Sequence, residues 1–460
     1  MSLTRRLFAR LVVAVLPALG ALLAFPAAAQ ADLLRLGAGA VSLKPRGSDA
    51  AVPRAPYRTE AMQRRAAPTN QWYSSLIFSD KPENIYAQPL SFRPMPAGLE
   101  VALPTKAVVP TERKDVEIHY AHRDALTIAP VAFEPGRALL AGASDWAIEI
   151  TMGRGSDRFD ATVAHGSPYA WFRVGRGDLR VRLPAAGERL ASPDPRMLLL
   201  RVKGTGYALF GPTGVQWEAA SPTEWVARLP AGKGYLVVAG LPDDSAATQA
   251  LLLRHAYAAV TDTRVDWKVD RATGEVQTTF TATTQPLEGS ESTPLLGLYP
   301  HHWHGNASVD GRLGPAYDTV RGKLKLLAAN SFRTTARYTG FVPYWPAVAD
   351  GTPRLAELRD VMKSDIRNAR RMMLVEGEGP YWQGKGLLRL VKMLDVYEQQ
   401  GDKEASERLL GLLKTRIEEW FAGTDRRRYF HWDQAMGTVV GYPEEYFAVV
   451  QMNDHHFHYG

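Results

Sequence analysis

The hydrophobic period of this chain changes near Pro346, and this change limits the folds that the chain can adopt. Before that residue, apolar and polar residues alternate in short segments such as residues 146–152. After it, apolar residues recur every three or four positions, beginning with Leu355, Leu358 and Met362. A period of two is typical of a β-strand, and a period of 3.6 is typical of an amphipathic helix. The sequence therefore predicts a β-rich region followed by a helical one.

The first region, residues 32–245, has the pattern of a β-sandwich. Short apolar runs at residues 197–202, 207–210 and 235–239 are separated by turns rich in Gly and Pro. Strands of this length at this spacing are typical of two antiparallel sheets that pack face to face. We therefore predict a β-sandwich domain over this region.

Residues 246–348 mix the two periods. The pattern predicts a helix over residues 251–260 and a strand over residues 275–284. We interpret this part as a small α/β linker domain. His301 and His302 follow a strand-like run, and we interpret them as a buried polar joint between domains.

The last region, residues 349–460, contains three apolar stripes at helical spacing. Thr352 is predicted to cap the first helix, with Pro353 in its first turn. Gly401 is predicted to close the second helix and Asp402 to cap the third. Three amphipathic helices joined by short loops are the start of a helical domain. Only about 110 residues remain for that domain, so we expect it to be incomplete.

Residues 1–31 have the pattern of an export signal. They combine a basic start, an apolar run over residues 11–25 and small residues suitable for cleavage near Ala31. The Arg5-Arg6 pair also resembles a twin-arginine signal. An uncleaved anchor helix is the alternative, but the apolar run is short for a membrane span. We expect a secreted or periplasmic protein that has no membrane contact once the signal is cleaved.

Composition excludes several classes of protein. The chain has no cysteine, so it can form no disulfide, thiolate metal site or cysteine nucleophile. Without the predicted signal the formal net charge falls from +7 to +4, with 52 basic and 48 acidic residues. These charges are spread along the sequence, which argues against a nucleic-acid partner. We expect a monomer.

The segment QMNDHHFHYG at the end of the sequence concentrates reactive side chains. If a helix starts near Asn453, Asp454 and His458 lie one turn apart on one face, and His455 lies beside Tyr459. A carboxyl group beside an imidazole suits acid catalysis on a polar substrate. The same residues could instead bind a metal ion through His455, His458 and Asp454. A third interpretation is a helix start in which Asp454 only accepts hydrogen bonds from backbone amides.

A second carboxylate would be needed to hydrolyse a glycosidic bond. Asp433 could pair with Asp454 in that role, or it could be structural and hold the loop that carries Gly437. We interpret Glu444 and Glu445 as solvated loop residues.

Aromatic residues are frequent in the predicted loops. They include Tyr381 and Trp382, and a flat ring in a loop can stack on a sugar. For Trp72, Trp171 and Trp345 a position in the core or at a domain interface is the favoured interpretation.

Four stretches together resemble one known family. They are PTNQWYSSLIF at residues 68–78, LYPHHW at 298–303, YWQGKGLLRL at 381–390 and GTVVGYPEEYFAVVQMNDHHFHYG at 437–460. In this order they are similar to the family 81 glycoside hydrolases, the endo-β-1,3-glucanases. The resemblance implies an N-terminal β-sandwich, a small α/β linker domain and a C-terminal (α/α)6 barrel.

The resemblance also implies a reaction and roles for residues. The family hydrolyses internal β-1,3 bonds of β-glucans with inversion and needs no metal or other cofactor. Its general acid corresponds to Asp454, while His455, His458 and Tyr459 would line the substrate subsites. Asp433 and Tyr381 are further expected substrate contacts.

The family's general base is a glutamate well downstream of the Asn-Asp-His-His motif. The sequence ends at Gly460, so the resemblance implies an incomplete barrel and a truncated chain that is inactive on its own. Two alternatives stay open. One is a non-catalytic protein that binds β-glucan, and the other is a polysaccharide lyase.

Overall fold

A computed structural model of the chain describes residues 32–46, 52–113, 115–340, 346–349, 351–372, 377–423, 425–455 and 458. The predicted export signal at residues 1–31 and the predicted subsite residue Tyr459 lie outside these ranges. Strands predominate before residue 340, and the three longest helices follow residue 350. The predicted change from strands to helices near Pro346 is therefore confirmed.

The elements are numbered along the chain. The first strands are β1 (Leu33–Leu36), β2 (Gly39–Ser42), β3 (Ile85–Tyr86), β4 (Ser91–Met95), β5 (Gly98–Ala102), β6 (Ala107–Pro110), β7 (Val116–His119), β8 (Leu126–Pro130), β9 (Ala138–Ala143), β10 (Ala147–Arg154), β11 (Asp157–Ala164), β12 (Tyr169–Val174), β13 (Leu179–Arg182) and β14 (Glu188–Leu190). The later strands are β15 (Met197–Val202), β16 (Thr205–Phe210), β17 (Gln216–Ser221), β18 (Glu224–Arg228), β19 (Tyr235–Gly240), β20 (Ala258–Asp270), β21 (Glu275–Pro286), β22 (Leu295–Leu298), β23 (Leu313–Thr319), β24 (Gly322–Ala328), β25 (Ser331–Arg337), β26 (Tyr429–Asp433) and β27 (Thr438–Tyr442). The helices are α1 (Glu60–Gln63), α2 (Ser74–Phe78), α3 (Ala246–His255), α4 (Pro300–Trp303), α5 (Leu355–Met372), α6 (Pro380–Gln399) and α7 (Lys403–Phe421).

Two large antiparallel sheets share one hydrophobic core. One has the strand order β14-β15-β16-β19-β12-β11-β10-β9, and the other has the order β17-β18-β13-β8-β5-β4-β3. Ile128 and Leu179 from the smaller sheet join Phe172 and Leu209 from the larger one in this core. Burying such side chains contributes roughly 2 kcal/mol each.

The larger sheet is covered on both faces. Leu199 and Val237 point away from the shared core and pack with Leu252 of α3 and Leu326 of β24. Because both faces are buried, β15 and β19 are nearly continuous apolar runs. The strands predicted at residues 197–202 and 235–239 match them.

The predicted helix over residues 251–260 is only partly correct. Helix α3 ends at His255, and β20 begins at Ala258. Ala258 and Val260 pair with β21 and are buried, so their side chains pack as strand residues. The strand predicted over residues 275–284 is confirmed as β21. β20, β21 and β25 form one three-stranded sheet, and β22, β24 and β23 form another.

Helices α5, α6 and α7 pack around a smaller cluster that includes Met362, Leu390 and Leu409. The predicted cap of α7 is confirmed, because the Asp402 side chain accepts a hydrogen bond from the Ala405 amide at 3.1 Å. The predicted Thr352 cap is wrong. Helix α5 begins three residues later, and the Thr352 hydroxyl donates to a preceding carbonyl. None of the helices in the described part is long and apolar enough to cross a membrane.

A four-stranded sheet joins two distant parts of the chain in the order β1-β2-β26-β27. β2 runs parallel to β26, with Ser42 opposite His431. The guanidinium group of Arg46 donates to the carbonyl of Asp425 at 2.7 Å and lies over the ring of Tyr429. This sheet fixes the position of the segment that follows β27, which carries the candidate site.

Candidate functional site

The segment after β27 has one buried side and one exposed side. Val449 and Met452 belong to the core of the large sheets, whereas Phe447 and Asp454 face solvent. Four of the eight non-glycine residues with positive φ in the described part lie here: Tyr446, Phe447, Met452 and Asp454. Such backbone costs about 1–3 kcal/mol per residue and clusters at functional sites. The strain therefore marks this segment as a candidate site.

Asp454 precedes a helical turn instead of lying within one. Its φ is 49°, and the amide of His458 donates to its carbonyl at 2.9 Å. The Asn453 side-chain amide donates to the Asp454 carboxylate at 3.3 Å and to the Tyr446 carbonyl at 3.0 Å. The predicted turn from Asp454 to His458 is thus present, and the Asp454 carboxylate stands at its exposed beginning.

The two described histidines of the motif are buried. Burial lowers the pKa of His458, and the nearby carboxylates of Asp454 and Glu445 oppose that shift. Burial also lowers the pKa of His455. The ring nitrogen Nε2 of His455 donates to the Ala448 carbonyl at 2.8 Å. His455 therefore anchors the turn to the segment before it.

The metal interpretation receives no support from this geometry. The His455 Nε2 atom is already bonded to a carbonyl. Within the ranges that the structure describes, no group of three His, Asp or Glu residues is arranged to hold a metal ion.

Glu445 is not a solvated loop residue, and that interpretation is wrong. Its carboxylate accepts hydrogen bonds from the amide of Gly379 at 2.9 Å and the amide of Trp382 at 3.4 Å. These amides lie at the beginning of α6, where the helix dipole favours a negative charge. A Cβ atom on Gly379 would lie 2.6 Å from the Glu445 carboxylate, so only glycine permits this approach. Glu445 thereby ties α6 to the candidate segment.

An aromatic cluster forms beside the carboxylate of Glu445. The ring of Tyr381 lies 4.6 Å from that of Tyr446, 4.7 Å from that of Trp382 and 5.4 Å from that of His458. The ammonium group of Lys385 lies 4.6 Å from the Trp382 ring centre. The structure therefore brings the predicted residues Tyr381 and His458 together.

Asp454 also lines a groove of about 400 Å³ between the terminal segment and residues 70–83. Trp72 lines the same groove, and its ring packs edge-on against His165. Trp72 also contacts the main core, as predicted. The same side chain therefore packs against the core and lines the groove. Glu83 is the other carboxylate among the groove residues that the structure describes.

A network of partly buried polar rings packs beside Trp72. The hydroxyl of Tyr299 lies 3.3 Å from Nδ1 of His165, and His302 Nδ1 accepts from the Tyr299 amide at 3.3 Å. Burial lowers the pKa of both His165 and His302 to about 4. His302 is partly buried in this network, whereas His301 is exposed, so the buried position predicted for His301 is wrong. That these residues form a joint between domains stays a prediction.

Asp433 is the last residue of β26 and leads into the turn before β27. Its carboxylate accepts a hydrogen bond from the Met436 amide at 2.8 Å, and its carbonyl accepts from Gly437 at 2.9 Å. It is not among the residues that line the groove with Asp454. The geometry matches the structural alternative for Asp433.

This chain is similar to several known proteins. Residues 352–460 match the glycosyl hydrolase family 81 C-terminal domain. A glucan endo-1,3-beta-D-glucosidase of Acetivibrio thermocellus is 33% identical over 418 residues, covering 89% of this chain and 52% of that protein. A glucan endo-1,3-beta-D-glucosidase of Thermobifida fusca is 30% identical over 454 residues, covering 96% of this chain and 58% of that protein.

The fold is also similar to a solved structure. A mutant of the family 81 glycoside hydrolase from Clostridium thermocellum superposes with a TM-score of 0.78 at 31% identity. The match covers 93% of this chain and 58% of that one. The chain therefore spans between half and three-fifths of the length of the relatives that it matches.

Proposed function

We propose that this chain, a relative of the family 81 glycoside hydrolases in sequence and in fold, takes part in the hydrolysis of internal β-1,3 bonds of β-glucans. The predicted resemblance to that family is confirmed by the comparisons. The activity is our inference from the names of the relatives and from the site around Asp454.

The observation that carries the proposal is the position of the Asp454 carboxylate. It is exposed, stands on strained backbone at the start of a turn, and lines a groove together with Trp72. A general acid must reach the leaving-group oxygen, and an aromatic ring can stack on a sugar in the same groove. These features suit an acid that acts on a bound polysaccharide.

In the proposed reaction Asp454, protonated, donates its proton to the glycosidic oxygen as the bond to the anomeric carbon breaks. In an inverting reaction a second carboxylate activates a water molecule on the opposite face of the sugar. We assign that base to no residue of the described ranges. His458 and Tyr381 would line the subsites near Asp454, His455 would hold the turn, and we assign no metal or other cofactor.

The division into domains, the export of the protein and its oligomeric state are also proposals. We assign the sheets before residue 245 to a β-sandwich, residues 246–348 to a linker domain, and helices α5–α7 to an (α/α)6 barrel. We further propose that residues 1–31 direct export and that the protein acts as a monomer. Sequencing the amino terminus of the protein recovered from outside the cytoplasm tests the export signal.

The test of function uses the protein as its own cells make it. Purified protein should release glucose oligomers from laminarin, and the first product seen by NMR should be the α-anomer. Asp454→Asn should lower kcat by about 100- to 10,000-fold, because a general acid contributes on that order. Asp360→Asn on the exposed side of α5 is the matched control and should retain full activity.

Three results would overturn parts of the proposal. Binding of laminarin without release of oligomers, unaltered by Asp454→Asn, would indicate a non-catalytic glucan-binding protein. An unsaturated product that absorbs in the near ultraviolet would indicate a lyase. A β-anomer as first product would exclude inversion.

A further inference from the structure

A cavity of about 720 Å³ lies between helices α5 and α7, away from the groove that contains Asp454. Five of its lining residues are arginines: Arg367, Arg370, Arg408, Arg416 and Arg428. The volume is within the range of pockets that bind small molecules. Five positive charges that are separated along the sequence thus lie close together in the fold.

Negative charge at the cavity is scarce. Glu419 is the one acidic residue among the described residues that line it, and its carboxylate pairs with Arg416 at 2.6 Å. Arg428 pairs with Asp425 at 3.3 Å. In the part of the chain that the structure describes, Arg367, Arg370 and Arg408 form no salt bridge. Three guanidinium groups that line the cavity therefore have no salt-bridge partner among the described residues.

One arginine is fixed in place at the cavity. Arg416 is 8% exposed, and its Nε atom donates to the Gln383 side-chain oxygen at 2.8 Å. With one Nη atom held by Glu419, its guanidinium plane is set before any ligand arrives. A preorganised donor loses less entropy when it binds an anion.

Like charges on one helix destabilise it, and those that converge from two helices repel one another. A bound anion would remove that repulsion. Guanidinium groups recognise phosphate through two parallel hydrogen bonds, which gives this pairing both strength and direction. Ile366 and Leu412 add an apolar wall that suits a small carbon skeleton.

We propose that this cavity is a binding site for a small multivalent anion that carries phosphate groups. The site is separate from the groove of the proposed glucanase reaction, so either assignment can fail without the other.

Calorimetric titration of the full chain with pyrophosphate tests the proposal. We expect one site per chain and a rise in Tm that sodium chloride at equal ionic strength does not produce. The double variant Arg367→Gln/Arg408→Gln should weaken binding at least tenfold. Lys363→Gln/Lys414→Gln removes two exposed charges from the same two helices outside the cavity and should change Kd less than twofold.

The proposal fails if pyrophosphate produces no binding heat, or if the lysine variant weakens binding as much as the arginine variant. Citrate of equal charge should bind more weakly than pyrophosphate. Equal binding of the two would overturn the assignment to phosphate and indicate a carboxylate ligand. Far-ultraviolet circular dichroism of both variants checks that the helices are intact.

Discussion

Among the described residues, the cluster between the two large sheets contains 44 buried residues, whereas the cluster between helices α5–α7 contains seven. The helices also leave large apolar side chains exposed, among them Val361, Leu388 and Leu410. Apolar burial stabilises by about 25 cal/mol per Å², so the sheets carry most of the stability. The candidate segment belongs to the sheet side of this division, because Val449 and Met452 lie in the larger cluster. The site is therefore supported by the sheets, although its motif follows the helices in the sequence.

The greatest loss of stability should come from a matched pair of truncations, one in each cluster. Phe172→Ala in β12 should lower the free energy of unfolding by about 4 kcal/mol, and Leu409→Ala in α7 should lower it by about 3 kcal/mol. Both side chains are fully buried in the native protein. Urea unfolding followed by circular dichroism measures the size of each loss.

Hydrogen exchange then separates the two regions. After Leu409→Ala, amides of α5–α7 should exchange faster while those of β12 and β19 stay protected, because the clusters are distinct. Faster exchange in both sheets as well would show that the chain unfolds as one unit and would contradict the division.

Acid should lower the stability of the sheet region more than that of helices α5–α7. His165 and His302 have folded pKa values of about 4, against 6.5 for the free side chain. Between pH 6.5 and pH 4 the unfolded chain binds protons that the folded chain does not, so stability falls as the pH falls through this window. At about 1.4 kcal/mol per pKa unit, each residue contributes a loss on the order of 3 kcal/mol.

Helices α5–α7 contain no histidine, so acid should affect them less. Unfolding midpoints measured from pH 7 to pH 4 on the native protein and on His165→Phe check this. The variant should lose less stability over that range, and an unchanged slope would contradict the role of His165.

Replacing either of two glycines by alanine should give the smallest changes in stability, and the two changes should have opposite signs. Gly379→Ala should destabilise by about 2 kcal/mol, because its Cβ would overlap the Glu445 carboxylate and the Pro443 carbonyl. Gly411→Ala in α7 meets no atom within 4 Å and should stabilise by about 0.5–1 kcal/mol. Thermal unfolding of both variants measures the difference. A neutral Gly379→Ala would show that Glu445 does not hold α6 to the candidate segment.

Local patterns predict much of the fold. β15, β19, β21 and the cap at Asp402 follow from alternation, apolar runs and cap chemistry that a few neighbouring residues determine. The boundary after His255 is missed because a short buried apolar run fits a helix or a strand equally well.

The site is predicted less completely because its contacts are long-range. Asp454 and His458 stand one turn apart as predicted, and the strained backbone around them has no sequence signal. Glu445 satisfies the beginning of a helix 66 positions earlier, which no local pattern contains. Trp72 enters the groove through a loop nearly 400 positions before Asp454. A search for carboxylates that could cap a helix from a distant position in the sequence could have identified Glu445.

The four-stranded sheet that pairs β2 with β26 can form only after the ribosome has synthesised β26. His431 bonds to the Ser42 carbonyl across 389 positions, so β1 and β2 leave the ribosome long before their partner exists. At 5–20 residues per second, the interval is roughly 20 to 80 s. For that period the two strands are a hairpin with an open edge, and two-stranded hairpins are marginal in water. Completion of the sheet that holds the candidate segment therefore waits until β26 has been synthesised.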